Sequence, residues 1–139
     1  MSNVKPGEIS TRRNITVGAL AITLLGAAMV SAQSTHSVAR QFNEALLDAI
    51  RIDQPAPTVH SRNLYHTSAA MWDAYAAYSG NGATGIFFLE KHTAPDISAA
   101  RNEAVSYAAY RVLSQRYTCA VDPNSSQAFF DGVMASNGY

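Results

Sequence analysis

Three polar side chains share one segment of this sequence in a pattern that can do chemistry: Arg62, His66 and Asp73, within TVHSRNLYHTSAAMWDAYAAY. On a helix turning by about 100° per residue, spacings of i, i+4 and i+11 bring all three within one face. His60 and Asn63 then lie on a neighbouring stripe. An imidazole flanked by a guanidinium and a carboxylate can act as acid, base or hydrogen-bond donor at a pocket, its charge set by the two neighbours. The same trio reads more simply as a buried hydrogen-bond network that fixes helix register in a bundle. The segment supplies neither a nucleophile nor a second carboxylate to complete a recognised catalytic constellation. His60 and His66 stand six residues apart, not the three or four that aim two ligands from one helix at a metal. The patterns HExxH, CxxC and GxSxG are absent from the chain. Tyr65, Trp72, Tyr75 and Tyr78 read as core aromatics rather than as a ligand box.

These residues need a scaffold, and the hydrophobic periodicity predicts an all-α helical bundle of about four helices, without sustained period-2 alternation. Ser34 and Thr35 offer hydroxyl caps to a first helix reaching about Ile52, with Val38, Phe42, Ala45, Leu46, Ala49 and Ile50 at helical spacing. Its other face, Arg40, Glu44, Asp48 and Arg51, is a solvated face of surface ion pairs. Pro55 and Pro57 break that helix, and Thr58 is placed to cap the next, Val59 to about Tyr78. Leu64, Thr67, Met71, Ala74, Tyr75 and Tyr78 form its apolar stripe, and Ala69, Ala70, Ala76 and Ala77 permit close helix approach. The glycine-rich stretch Ser79–Gly85 lacks the lysine of a phosphate loop and serves as a connector. Ile86–Leu89 then tucks under the helices or forms an edge strand. Asp96 caps a third helix to about Tyr117, with Ala100, Ala104, Tyr107, Ala108 and Arg111 near one line and Val105, Val112 and Leu113 flanking it. Asn124 and Gln127 make a capping box for a short last helix carrying Phe129, Phe130, Val133 and Met134.

At 139 residues the chain has room for one small domain. Its first 32 residues read as a secretory signal: Lys5, Arg12 and Arg13 precede an apolar run, Ile15 to Val30, and Val30-Ser31-Ala32 suits cleavage between Ala32 and Gln33. The run is shorter than the roughly 20 apolar residues of a spanning helix and is interrupted by Gly18, Thr23 and Gly26. Membrane contact is therefore expected only transiently, during export. Thr11-Arg12-Arg13-Asn14-Ile15 resembles a twin-arginine signal, with an ordinary Sec signal as the rival, so the product is exported to the periplasm or beyond. Cleavage removes three of ten basic and one of ten acidic residues, which leaves residues 33–139 with a net charge of about −2 and nothing to recruit nucleic acid. Cys119 is the sole cysteine, so no internal disulfide supports the fold, and it reads as a buried, inert thiol near a helix end, with a free or intermolecular thiol as the alternative.

Three ordered phrases, SVARQFNEALLDAIRIDQPAPTVHSRNLYHTSAAMWDAYAAY, FFLEK and ARNEAVSYAAYRVLSQRY, resemble the amino-terminal region of exported bacterial vanadium-dependent haloperoxidase-like proteins, a group related in fold to the type 2 phosphatidic acid phosphatases. The resemblance spans about Val38 to Tyr117. It implies an all-α fold of two bundles, of which residues 33–139 are the first and incomplete. It also implies vanadate as cofactor, held as an oxyanion by a lysine, two arginines, a Ser-Gly-His segment and a vanadium-ligating histidine. Those motifs lie in the carboxy-terminal half of the family and are missing here. Lys91 is followed by His92-Thr93-Ala94-Pro95 rather than by Arg-Pro, no arginine precedes a proline, and Pro-Ser-Gly-His does not occur. No vanadate-binding residue is carried over, so His66, Asp73 and Arg62 stand as supporting candidates alone. The expected activity of the chain by itself is nil. Its expected partner is the missing carboxy-terminal bundle or a partner chain, with a non-catalytic exported interaction module as the alternative. Whether the whole would act as an oxidoreductase or a phosphatase depends on residues outside this chain.

Overall fold

A computed structural model describes residues 36–139. The signal segment, its Ala32–Gln33 junction and the Ser34-Thr35 caps lie outside the described residues. Four helices follow one another: α1 (Val38–Asp53), α2 (Pro57–Ala77), α3 (Ile97–Arg116) and α4 (Pro123–Ser136). Among the described residues no strand is present, and no helix is long and apolar enough to cross a membrane. The fold is an all-α bundle, as the periodicity predicts.

Capping chemistry sets where the helices begin. Ser37 accepts the Arg40 amide at the start of α1, and Asp96 accepts the Ala99 amide at 2.9 Å at the start of α3. Three starts differ from expectation, the first because Ser37, rather than Ser34 or Thr35, caps α1. Thr58 lies inside α2, which begins at Pro57 after Ala56, because a proline at the first helical position has no amide left to satisfy. Likewise α4 begins at Pro123, capped by Asp122, whose side chain accepts the Ser125 amide at 3.0 Å. Gln127 is thereby free of the capping box, and its amide donates to the Tyr110 hydroxyl and the Asp131 carboxylate. The Ser125 amide holds the Asp122 carboxyl below its ordinary value. This part of the cap's contribution is present above the ordinary carboxylate range and is lost as the pH falls through the lowered value.

Helices α1, α3 and α4 pack on one another, while α2 lies chiefly along α3 and touches only the edge of α1. The core is built from Phe42, Leu46 and Ala49 of α1, Val105, Ala109 and Leu113 of α3, Phe130 and Met134 of α4, and Tyr117 just beyond α3. The flanking line of α3, rather than the Ala100-to-Arg111 line, therefore faces the core. From α2 Met71 joins this cluster, and the half-buried Ala74 and Tyr75 pack against it. A helix on the flank has one narrow stripe covered, so Leu64, Tyr65 and Trp72 stay exposed instead of entering the core. Trp72 stacks on Tyr75 at 5.7 Å, and the Arg101 guanidinium sits over the Tyr75 ring at 4.8 Å, so the half-buried Tyr75 packs on the core while Trp72 stays outside it.

Two more expectations are corrected at the connections. Cys119 is exposed, not buried, because Tyr117 takes the last core position and the chain then turns outward. Ile86–Leu89 is neither a strand nor tucked away: its four residues are 50%, 65%, 69% and 68% exposed. Polar ties close the bundle elsewhere. Asp53 at the end of α1 accepts the Val121 amide at 2.7 Å, and the Asn137 amide donates to Gln41 at 2.9 Å.

Burial pushes the Tyr117 phenol above its ordinary value, opposed by the neighbouring Asn63 side chain. A phenol with a raised folded value contributes stability that is intact below the unfolded value and is lost as the pH rises through the folded one. Melting temperature is therefore expected to fall as the pH rises past about 10, the ordinary tyrosine value. Tyr117→Phe should flatten that alkaline limb, and an unchanged limb would locate the titration elsewhere.

Candidate functional site

Asp73 sits in the carboxy-terminal half of α2 and is buried at 5% exposure, with no basic partner among the described residues. Its charge is met by backbone donors. The carboxylate accepts the amides of Ile86 and Phe87, the latter at 3.1 Å. This places two successive amides of the α2–α3 connection against the flank of α2, with a tight approach at Gly85. A Cβ there would lie 1.9 Å from the Phe88 carbonyl oxygen and 2.9 Å from Asp73 Oδ1, so any side chain would displace the loop.

Four further bonds fasten the same connection. Trp72 Nε1 donates to the Thr84 carbonyl at 2.9 Å. Lys91 Nζ donates to the Ala76 carbonyl at 2.7 Å and to the Ala83 carbonyl. The His92 amide donates to the Ala77 carbonyl at 2.8 Å. Ala76 and Ala77 are the last residues of α2, whose final carbonyls have no partners within the helix, and its last turn contains no basic residue. Lys91 supplies the positive charge that α2 lacks and adds a side-chain donor to the Ala76 carbonyl, which also accepts the Ser79 amide at 3.1 Å. Sequence spacing does not reveal this role, since the lysine lies well beyond the helix it caps.

His66 is placed elsewhere. Its Nδ1 bonds the Arg116 guanidinium at the end of α3. Arginine has only donors to offer, so Nδ1 accepts and the ring is the neutral tautomer with its proton on Nε2. Arg62 lies one turn earlier on α2, exposed, and lines the same groove as His66, Arg111, Gln115 and Arg116. Arg62 and His66 are thus brought together, whereas Asp73 is about 10 Å further along the axis and bonded to loop amides. The arginine, histidine and carboxylate form no shared network.

Between α2 and α3, on the side that neither α1 nor α4 lines, runs a groove of about 730 Å³. Its floor is small and apolar, Ala70, Ala74 and Ala77 facing Ala104 and Ala108, with Phe87 and Phe88 walling the far end. It shares His66, Arg111 and Val112 with the arginine-lined groove, whose volume is about 620 Å³. Among the described residues no group of three or more histidine, cysteine, aspartate or glutamate side chains could hold a metal ion.

Neither His66 nor Lys91 is free to hold vanadate. A vanadium-ligating imidazole needs a free nitrogen lone pair, but His66 Nδ1 is engaged and Nε2 carries the proton. Lys91 is committed to two backbone carbonyls. No family model, no curated protein and no solved structure matches the chain.

Proposed function

We propose that this chain is the amino-terminal helical portion of an exported haloperoxidase-like protein, inactive alone, that docks a second helical bundle carrying the oxyanion-binding residues. The observation that carries the reading is the apolar tip Ile86–Leu89. It is exposed, yet it is fastened by Asp73, Trp72 and Lys91 rather than left loose. Four consecutive large apolar side chains held outward on a fixed loop are what an interface presents before its partner arrives. The candidate catalytic residues support the same division of labour. Asp73 serves the loop and His66 serves Arg116, which leaves no nucleophile or free base between them. In this reading vanadate belongs to the second bundle, and the present helices provide support and one wall of the entrance. Export follows from the signal-like residues 1–32.

An uncovered docking tip has a measurable consequence. Without its second bundle the chain is expected to self-associate with rising concentration in sedimentation velocity. Phe87→Asp combined with Phe88→Asp should abolish the association while the helical circular dichroism signal is retained, since both side chains are exposed. A chain that stays monomeric with both phenylalanines in place would contradict the docking role.

A further inference from the structure

Arg62, Arg111 and Arg116 converge on one groove with His66 and Gln115, and no carboxylate lines it. None of the three arginines is among the ion pairs of the described residues, which are Arg40 with Glu44, Arg51 with Asp48 and His92 with Glu90. Three guanidinium groups gathered without an anion repel one another, and a ligand bearing a carboxylate relieves that repulsion. Every polar side chain at this end can donate: the three guanidiniums, the Gln115 amide and the His66 Nε2–H fixed by the Nδ1 bond to Arg116. The arrangement suits an anion that accepts hydrogen bonds. It does not suit a metal ion, which needs lone pairs.

The adjoining compartment fixes the rest of the ligand. It opens from the same His66, Arg111 and Val112 and continues between the alanines of α2 and α3 as far as Phe87 and Phe88. From His66 to Ala77 this is a rise of about 16 Å along the helix, the reach of a long acyl chain. The carboxylates on this wall are Asp73, turned to the loop amides, and Glu90, 3.9 Å from His92 at the far end. A cationic mouth on an alanine-floored trough matches a molecule with one anionic end and one long apolar end.

We infer that the α2–α3 groove binds a long-chain carboxylate, its head at Arg62, Arg111 and Arg116 and its tail along the alanine trough towards Phe87 and Phe88. This goes beyond the docking role, because it uses the groove between the helices and requires no second bundle. Phe87 and Phe88 belong to both surfaces, and the Arg62, Arg111 and Ala108 variants, which leave the tip untouched, distinguish a failure of one from a failure of the other.

The test is titration of the full 139-residue chain with myristate below its micellar concentration, read by calorimetry and by the carboxyl carbon resonance of labelled myristate. One saturable myristate per chain is expected. Arg62→Gln with Arg111→Gln should weaken it by at least about tenfold, the equivalent of one lost charge-assisted contact. Ala108→Phe, which fills the trough and leaves the arginines in place, should weaken it comparably. Both changes are outside the core, and retained helical circular dichroism verifies the fold. Equal affinity in all variants would mean non-specific partitioning and would overturn the inference. Acetate binding as tightly as myristate would also overturn it, since the tail would then contribute nothing. Binding confined to vesicles containing phosphatidylglycerol, with none to monomeric myristate, would make the surface a membrane contact instead.

Discussion

Phe42→Ala is expected to cost the bundle about 3–5 kcal/mol, the range for truncating a fully buried aromatic side chain. Phe42 is 0% exposed and belongs to the cluster that joins α1, α3 and α4. Three helices lose contacts together, so the void cannot be closed by moving one of them. A domain of this size has a total stability of about 5–15 kcal/mol, so this loss removes a large share of it. Urea unfolding followed by circular dichroism provides the measurement. A loss under about 1 kcal/mol would mean that the core is not packed on Phe42.

Asp73→Ala carries the second large effect, about 2–3 kcal/mol, from the loss of two bonds between backbone amides and a charged acceptor, partly offset where those amides regain water. The change should be local as well as global. Amide hydrogen exchange at residues 84–92 should accelerate more than exchange in α1 or α4, because Asp73 is the group that holds the Ile86 and Phe87 amides. Asp73→Asn retains one acceptor oxygen and should fall between the wild type and alanine. Uniform acceleration across the bundle would show that Asp73 supports the core rather than the loop. The distinction bears on function, since the same carboxylate was also a candidate to tune His66.

Much of the architecture is legible in the sequence because amphipathic spacing is a local property. Val38, Phe42, Ala45, Leu46 and Ala49 mark the buried face of α1 without reference to any other element, and all five are buried. Asp96 likewise reveals its cap locally. Failures occur where a residue's environment is set by a distant element. Leu64 and Trp72 are apolar enough for a core, but α2 lies on the flank and has little to bury them against. Asn124 with Gln127 satisfies the capping pattern, but the proline one residue earlier starts the helix at Pro123 and moves the cap to Asp122.

The candidate site divides the same way. One helical face correctly puts Arg62 beside His66, but periodicity cannot tell which partner each side chain takes. Arg116 is 50 residues from His66 in sequence, and the Asp73 partners are backbone amides, which have no sequence identity to read. Nor does any local pattern mark Lys91 as the donor at the end of α2.

The central claim is that these helices are the front of a larger exported protein. It is tested most directly by the intact mass of the protein purified from outside the cells of its native source. The account predicts a chain beginning at Gln33 whose mass lies well above that of residues 33–139, with the additional sequence supplying a second helical bundle. A mass equal to that of residues 33–139 would contradict it and favour a non-catalytic helical interaction module.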